Sequence, residues 1–307
     1  MTPFLTIFTA PKPFKDPHIA IIQKNAIRSW QNIGEEVDVL LIGDEEGMAE
    51  VAVDLGVRQL PGVECNEVGT PLVRSIFDLA RANSPAPVLA YVNADILVMS
   101  DFVEVAKLVA SQVKDFLVIG QRWDLDVRSE LDYDSFWEAR LRENVQINGS
   151  LHPPAGSDYF IFSRHLFVDM PEFVIGRAGW DNWAIYHGVS SGWSVITVTE
   201  SVMIVHQNHD YAHLPGGQIH YDLEESRKNA ELGGGLANMY TVLEGNSVLV
   251  NGKVQSAGPS LTRILRKIEL RLITEEQHGL RWSTLRRVRR LRRRLTGSSR
   301  DESILRL

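Results

Sequence analysis

The segment Val88-Leu89-Ala90-Tyr91-Val92-Asn93-Ala94-Asp95 decides how this 307-residue chain is read. Its first five residues form an unbroken apolar run flanked by proline on one side and asparagine on the other. That is the signature of a strand buried on both faces, and such strands belong to parallel sheets covered by helices. The run ends on Asn93 and Asp95, with Ile96-Leu97-Val98 directly after. A carboxylate is therefore delivered to the sheet's edge on a stiff element.

The flanking sequence repeats the theme. Before the segment lie a strand over Phe4 to Thr9, a helix over Ile19 to Trp30, a strand over Val37 to Gly43, a short helix over Ala49 to Leu55, a short strand over Val57 to Leu60 and a helix over Leu72 to Ala82. After it come a helix over Phe102 to Ser111 and a buried strand over Phe116 to Gly120. Alternation of this kind predicts an α/β fold, a mostly parallel, Rossmann-like central sheet with helices on both faces. Ligands of such sheets bind where the strands' carboxyl ends meet their loops. Two polar loops fall there, Thr9-Ala10-Pro11-Lys12-Pro13 and Asn93-Ala94-Asp95. From Gln121 onward aromatics and charges become denser, marking a second half of the same body, about 121–254.

Charge divides the chain again. The whole carries −7, but from Gln255 to Leu307 there are 14 Lys and Arg against 5 Asp and Glu, which leaves a tail of +9 and a body of −16. An acidic body argues against nucleic-acid binding. In the tail, Leu261, Ile264, Leu265, Ile268 and Leu272 recur at helical spacing, as do Leu285, Val288, Leu291 and Leu295 within an arginine-dense run. Residues 255–307 thus read as a basic, amphipathic helical extension. Two readings of it stand side by side: a helix laid on an anionic membrane surface, or one packed on the acidic body. Asn251-Gly252, between Val248-Leu249-Val250 and Lys253-Val254, reads as a hairpin turn. The single cysteine, Cys65, excludes an internal disulfide and a cysteine metal cage. No apolar stretch approaches the roughly 20 residues that span a bilayer, and the first residues lack a signal-peptide layout. A cytoplasmic protein is expected, with a peripheral position on the inner face of the membrane if the tail meets lipid.

Three groups of residues have the chemistry of a site. Asp95 suits a hard divalent cation, Mn2+ or Mg2+, although Asn and Asp also shape turns unaided. Val202-Met203-Ile204-Val205 reads as a strand that ends on His206-Gln207-Asn208-His209-Asp210-Tyr211, and four histidines, His206, His209, His213 and His220, share one 15-residue window. Imidazole beside carboxylate favours Mn2+. The third group runs from Gly156-Ser157-Asp158 to Gly179-Trp180-Asp181-Asn182-Trp183. There Asp181 opens a helix whose dipole is expected to lower its pKa, and it reads either as a base or hydroxyl-binding carboxylate between two indole rings, or as a simple helix cap.

In this order, over approximately residues 4–215, these groups resemble the GT-A family of nucleotide-sugar glycosyltransferases. The resemblance implies a divalent cation, Mn2+ or Mg2+, held by Asp95 and His206 on the diphosphate of a UDP- or GDP-linked donor. It implies that Thr9, Ala10 and Pro11 contact the base, that Arg74, Asn93 and Ala94 join Asp95 in binding the nucleotide sugar, and that Asp181 is the base of an inverting transfer. Asp158, Trp180 and Asn182 would bind donor or acceptor sugar, the acceptor being a carbohydrate or a lipid-linked hydroxyl. Residues 1–120 become the donor half of a 1–254 domain and 121–254 the acceptor half. One position departs from the family's Asp-x-Asp motif: Asn93 replaces its first acid, so weaker metal binding is expected. Nucleotidylyltransferases share the sheet, but their Gly-rich loop after the first strand has no counterpart in Thr9 to Pro13. A metal-dependent hydrolase using His206, His209, Asp210 and His213, and a non-catalytic carbohydrate- or nucleotide-binding protein, are the competing functions.

Overall fold

The computed structural model describes residues 2–209, 223–274 and 278–297. Its N-terminal half alternates as expected: β1 (Leu5–Thr9), α1 (Pro17–Gln31), β2 (Val37–Ile42), α2 (Met48–Leu55), β3 (Arg58–Leu60), α3 (Val73–Asn83) and β4 (Val88–Val92). Then follow β5 (Ile96–Leu97), α4 (Ser100–Ala110), β6 (Phe116–Ile119), β7 (Trp123–Leu125), α5 (Trp137–Asn148), β8 (Ser150–Leu151), β9 (Tyr159–Ser163), α6 (Trp180–Ser190), β10 (Ser194–Thr197) and β11 (Val205–Gln207). The described remainder holds α7 (Glu224–Leu232), the hairpin β12 (Ser247–Val250) and β13 (Lys253–Ser256), and two closing helices, α8 (Leu261–Leu272) and α9 (Gly279–Thr296).

Nine strands form the main sheet in the order β13-β12-β10-β6-β9-β4-β1-β2-β3. Five of the eight pairings are parallel, and β9 runs antiparallel to both its neighbours, β4 and β6. Because β9 comes from beyond residue 121 yet lies between two earlier strands, the two halves of the body share one sheet. Alternation along β4 explains the layering. Val88, Ala90 and Val92 pack with α1 and α4 through Ala26, Ile27, Trp30, Phe102 and Ala106. Leu89 and Tyr91 face the opposite layer, with Val73, Ile76 and Phe77 of α3 and Trp180, Ala184 and Ile185 of α6. Each large side chain so buried stabilises the fold by roughly 1.5–3 kcal/mol relative to exposure. Both faces are thus covered, which is why the central strands read as continuous apolar runs.

A second sheet, ordered β5-β11-β7-β8, holds the strand carrying His206. β11 pairs antiparallel with β5 and parallel with β7, so that His206 lies opposite both Ile96 and Asp124. This corrects the expectation of a strand over Val202 to Val205 with histidines following it. The strand begins at Val205, where the register with Trp123 of β7 and Leu97 of β5 starts, and His206 sits in its middle. The turn at Asn251-Gly252 is as expected, with both residues left-handed at φ of 50° and 73°, the geometry a two-residue hairpin needs.

α8 docks on the body through charge. Glu269 is fully buried and accepts from Arg266, Arg289 and Arg292, while Arg266 also reaches Glu244 and donates to the Met239 carbonyl. Leu285 is buried as a packed tail requires, but Leu291 and Leu295 stay about half exposed. Replacing Glu269 by Ala strands Arg289 and Arg292 without counter-charge, and removing one partner of a buried ion cluster costs roughly 3 kcal/mol or more. Glu269→Ala is expected to lower the urea midpoint accordingly and to render α9 susceptible to limited proteolysis, whereas Glu269→Gln retains part of that loss through its remaining hydrogen bonds.

Candidate metal and donor site

The turn after β4 and the middles of β11 and β7 converge on one group of side chains. Asp95 follows β4 in a turn closed by the Ile96 amide donating to the Asn93 carbonyl (3.1 Å). Its carbonyl accepts from the Gln207 amide (3.1 Å) and from Gln207 Nε2 (3.2 Å), and Asn25 of α1 donates to Gln207 Oε1. The turn is thereby tied to two elements. Asp95 Oδ2 lies 3.0 Å from His209 Nε2 and 3.9 Å from His206 Nε2. One ligand atom from each of these three residues falls within 4.8 Å of the others. Among the described residues, Asp95 Oδ1 is buried with no hydrogen-bond partner. One carboxylate and two imidazoles, with the carboxylate's second oxygen buried and unpaired among the described residues, fit a divalent cation of the Mn2+ type.

Burial works to raise the pKa of Asp95, but the hydrogen bond from His209 and the positive charge of His206 and Lys12 hold it well below the ordinary carboxylate range. Lys12 Nζ lies 3.4 Å from His209 Nε2. Its own pKa is pushed down by burial, against the pull of Asp95. The expected loop after β1 therefore brings a cation to the site. Of the other members of that loop, Thr9 is buried at the strand's end with its hydroxyl unpartnered, and Ala10 and Pro11 follow it, half-buried and buried.

Behind the cluster runs a second row of charge. Asp124 lies 3.3 Å from His206 Nδ1 and 2.7 Å from His152 Nδ1, and Arg122 Nε donates to it at 2.9 Å. Burial pushes the Asp124 carboxyl up, but the His152 hydrogen bond with His206 and Arg122 beside it holds it well below its ordinary value. Arg122 also donates to Asp158 Oδ1 (2.7 Å), which accepts from Asn93 Nδ2 at 3.0 Å. That contact gives Asn93 a physical reason. A carboxylate at position 93 would face Asp158 at hydrogen-bonding distance and repel it, whereas the amide donates.

Asp181 lies at the first turn of α6, and the Gly179 amide donates to its Oδ1 (3.3 Å). The expectation that the helix would lower its pKa is corrected. Burial outweighs the amide dipoles, Asp158 adds repulsion, and the carboxyl is pushed up to about 6. The phenol of Tyr91 is pushed far up by burial and by the charges of Asp95, Asp158 and Asp181. Room for Asp181 exists only because residue 156 is glycine: a Cβ there would sit 1.9 Å from Asp181 Oδ2.

Other expected residues are placed elsewhere. Trp180 is buried among Phe77, Tyr91 and Phe160, and Trp183 among Phe173 and His187. Their faces are covered, which corrects the reading of an indole pair open to sugar. Asn182 is buried and exchanges hydrogen bonds with the Tyr240 backbone. Arg74, second residue of α3, is paired with Glu64 at 2.8 Å. Asp210, Tyr211, His213 and His220 lie outside the described residues. Sequence reasoning missed Lys12, Arg122, Asp124 and His152 as site residues. Arg122 and Asp124 follow a buried strand just as Asn93 and Asp95 do, and that position was the available signal.

No protein-family model matches the chain, and neither does any curated protein. Among solved structures it is similar to glucosyl-3-phosphoglycerate synthase from Mycobacterium tuberculosis in complex with Mn2+, UDP and glucosyl-3-phosphoglycerate, at 14% identity and a TM-score of 0.46 over 85% of this chain and 88% of that one. The UDP complex of that enzyme gives 15% identity and a TM-score of 0.48 over the same shares. A mannosyltransferase from Pyrobaculum calidifontis in complex with GDP-Man and Mn2+ gives 12% and 0.43, over 69% of this chain and 59% of that one.

The close approach at Gly156 yields a test. Gly156→Ala must displace the Asp181 carboxylate from the buried position that raises its pKa. Carboxyl-carbon NMR is expected to show the Asp181 midpoint falling from about 6 toward the ordinary aspartate value.

Proposed function

We propose that this protein is a glycosyltransferase that moves a sugar from a UDP- or GDP-linked donor to an acceptor hydroxyl, with inversion and with divalent-metal assistance. The observation that carries the reading is the convergence of Asp95, His206 and His209, with Asp95 Oδ1 buried and unpartnered among the described residues, where Asp95 follows β4 at the carboxyl edge of a mostly parallel sheet. That edge is where such folds bind nucleotides. Asp95, His206 and His209 would hold the cation, which supplies charge to a diphosphate as it leaves. Lys12 adds a fixed cation beside them, so the loss of one acid at Asn93 is matched by a lysine that also favours a diphosphate. The Thr9 to Pro11 loop and the Asn93-Ala94-Asp95 turn flank the donor's nucleotide end.

Asp181 acts as general base. It withdraws the proton from the acceptor hydroxyl as that oxygen bonds to the anomeric carbon and the bond to the diphosphate breaks. A carboxyl with a pKa of about 6 is a far better proton acceptor than an ordinary aspartate and is still mostly ionised at neutral pH. Asp158, held by Arg122 and Asn93, keeps a second carboxylate beside it as a hydroxyl-binding group. The acceptor is a carbohydrate or a lipid-linked hydroxyl. Among the described residues no helix is long and apolar enough to cross a membrane.

Calorimetry with UDP and with GDP, each with and without Mn2+, tests the donor site. Metal-enhanced binding of one nucleotide is expected, lost in Asp95→Asn; equal, metal-indifferent binding of neither or both would overturn the reading. For the base, Asp181→Asn is expected to lower kcat by about 100- to 10,000-fold while the donor Kd stays within a factor of a few. Parent turnover should rise tenfold per pH unit below the Asp181 midpoint of about 6 and level off above it, because only the ionised carboxylate accepts the proton.

A further inference from the structure

The helix α8 has its polarity reversed. The side it turns to the body carries Arg266 and Glu269, 1% and 0% exposed, beside Leu265. Three of its other apolar residues, Leu261, Ile264 and Ile268, are 58%, 47% and 39% exposed, while Leu270 and Leu272 are half-buried. In α9 the same division recurs, with Leu285 and Arg292 buried while Leu291 and Leu295 stay about half exposed. The ion cluster around Glu269 holds the helix pair together with Leu265 and Leu285, so Leu261, Ile264, Ile268, Leu291 and Leu295 are left largely unused by folding. Eight arginines and no acid lie on α9. Glu269 holds Arg289 and Arg292, and Arg281 donates to the carbonyls of Arg271 and Ile273. Arg286, Arg290 and Arg294 border an open groove beside Trp282.

We propose that the α8–α9 pair is a docking surface for an anionic lipid bilayer, a property separate from the transferase chemistry. Two features select this occupant. Exposed aliphatic side chains interleave with arginines on the same two helices, which is the composition of an interfacial membrane helix, where apolar burial and attraction to lipid headgroups act together. Nucleic acid would use the arginines and leave the aliphatic rows in water. Charge supplies orientation: the tail is +9 and the body −16. A negatively charged surface attracts the one and repels the other over the distance of a Debye length. The helix pair therefore meets the bilayer first, with the sheet held away from it.

The experiment uses the full chain and vesicles of phosphatidylcholine with about a third phosphatidylglycerol, set against phosphatidylcholine alone. Sedimentation is expected to carry the protein down with the anionic vesicles only, and less so as salt rises. The variant Ile264→Ser, Ile268→Ser, Leu291→Ser, Leu295→Ser is expected to lose about tenfold or more in vesicle partition. Its melting temperature should be that of the parent, since all four side chains are substantially exposed. A second variant, Arg286→Gln, Arg287→Gln, Arg290→Gln, should lose partition and its salt dependence together. Absence of binding to anionic vesicles at low salt overturns the proposal, as does parent-like partition of the four-serine variant. Self-association of the parent in solution that the serine variant abolishes, with no vesicle binding, would assign the surface to a second copy instead.

Discussion

A carboxylate taken out of water must be met by positive charge, and Asp95 is the point where this protein meets that demand. Its turn is fixed by hydrogen bonds from Gln207 and from its own loop, so the side chain cannot swing to solvent. His209, His206 and Lys12 surround it from two distant parts of the sequence. An uncompensated ion there would cost several kcal/mol. The site therefore constrains the fold as much as the fold builds the site, since β11 must pair with both β5 and β7 for His206 to arrive.

The same logic extends outward as one alternating chain of charge. Asp95 is followed by His206, then Asp124, then His152 and Arg122, and Arg122 passes the pattern on to Asp158 and Asn93. Each anion has a cation or a donor on both sides, which keeps Asp95 and Asp124 ionised in spite of burial. Asp181 lies at the end of this order. Burial raises its pKa and Asp158 repels it, while only amide dipoles act the other way, so it alone of the site's shifted carboxyls moves upward. One network thus holds Asp95 and Asp124 in the anionic form while a neighbouring carboxyl is left ready to take a proton, the kind of divergence in pKa that functional sites show.

The fold was largely legible because it rests on periodicity. The runs at Phe4, Val37, Val88 and Phe116 are buried on both faces, and a two-faced strand has few other meanings. The position of Asp95 and His206 was legible for the same reason, as polar residues where apolar runs end. What stayed hidden was pairing. Nothing in Arg122-Trp123-Asp124 announces that β7 lies beside β11, because that register is a long-range choice of the sheet, and with it the partners of His206. The indoles misled in the opposite direction. Tryptophan next to an acid suits a sugar face, but Trp180 begins a helix that must cover Phe77 and Tyr91, and the apolar layer claims it first.

The tail shows where periodicity itself is ambiguous. A helical stripe of leucines states that one face is apolar, and by itself it says nothing of which face turns inward. In α8 the decision belongs to Glu269. A single acid among arginines can be buried only if several of them follow it, and Arg266, Arg289 and Arg292 do so. Once that cluster is inside, helical geometry carries Ile264 and Ile268 to the outside, because residues one position before Leu265 and Glu269 lie about 100° away from them around the axis. The inward ion cluster and the outward aliphatic row are therefore one event. Arginine content alone would have described a soluble basic helix, whereas the burial of Glu269 makes it a helix pair with an apolar surface facing away from its own protein.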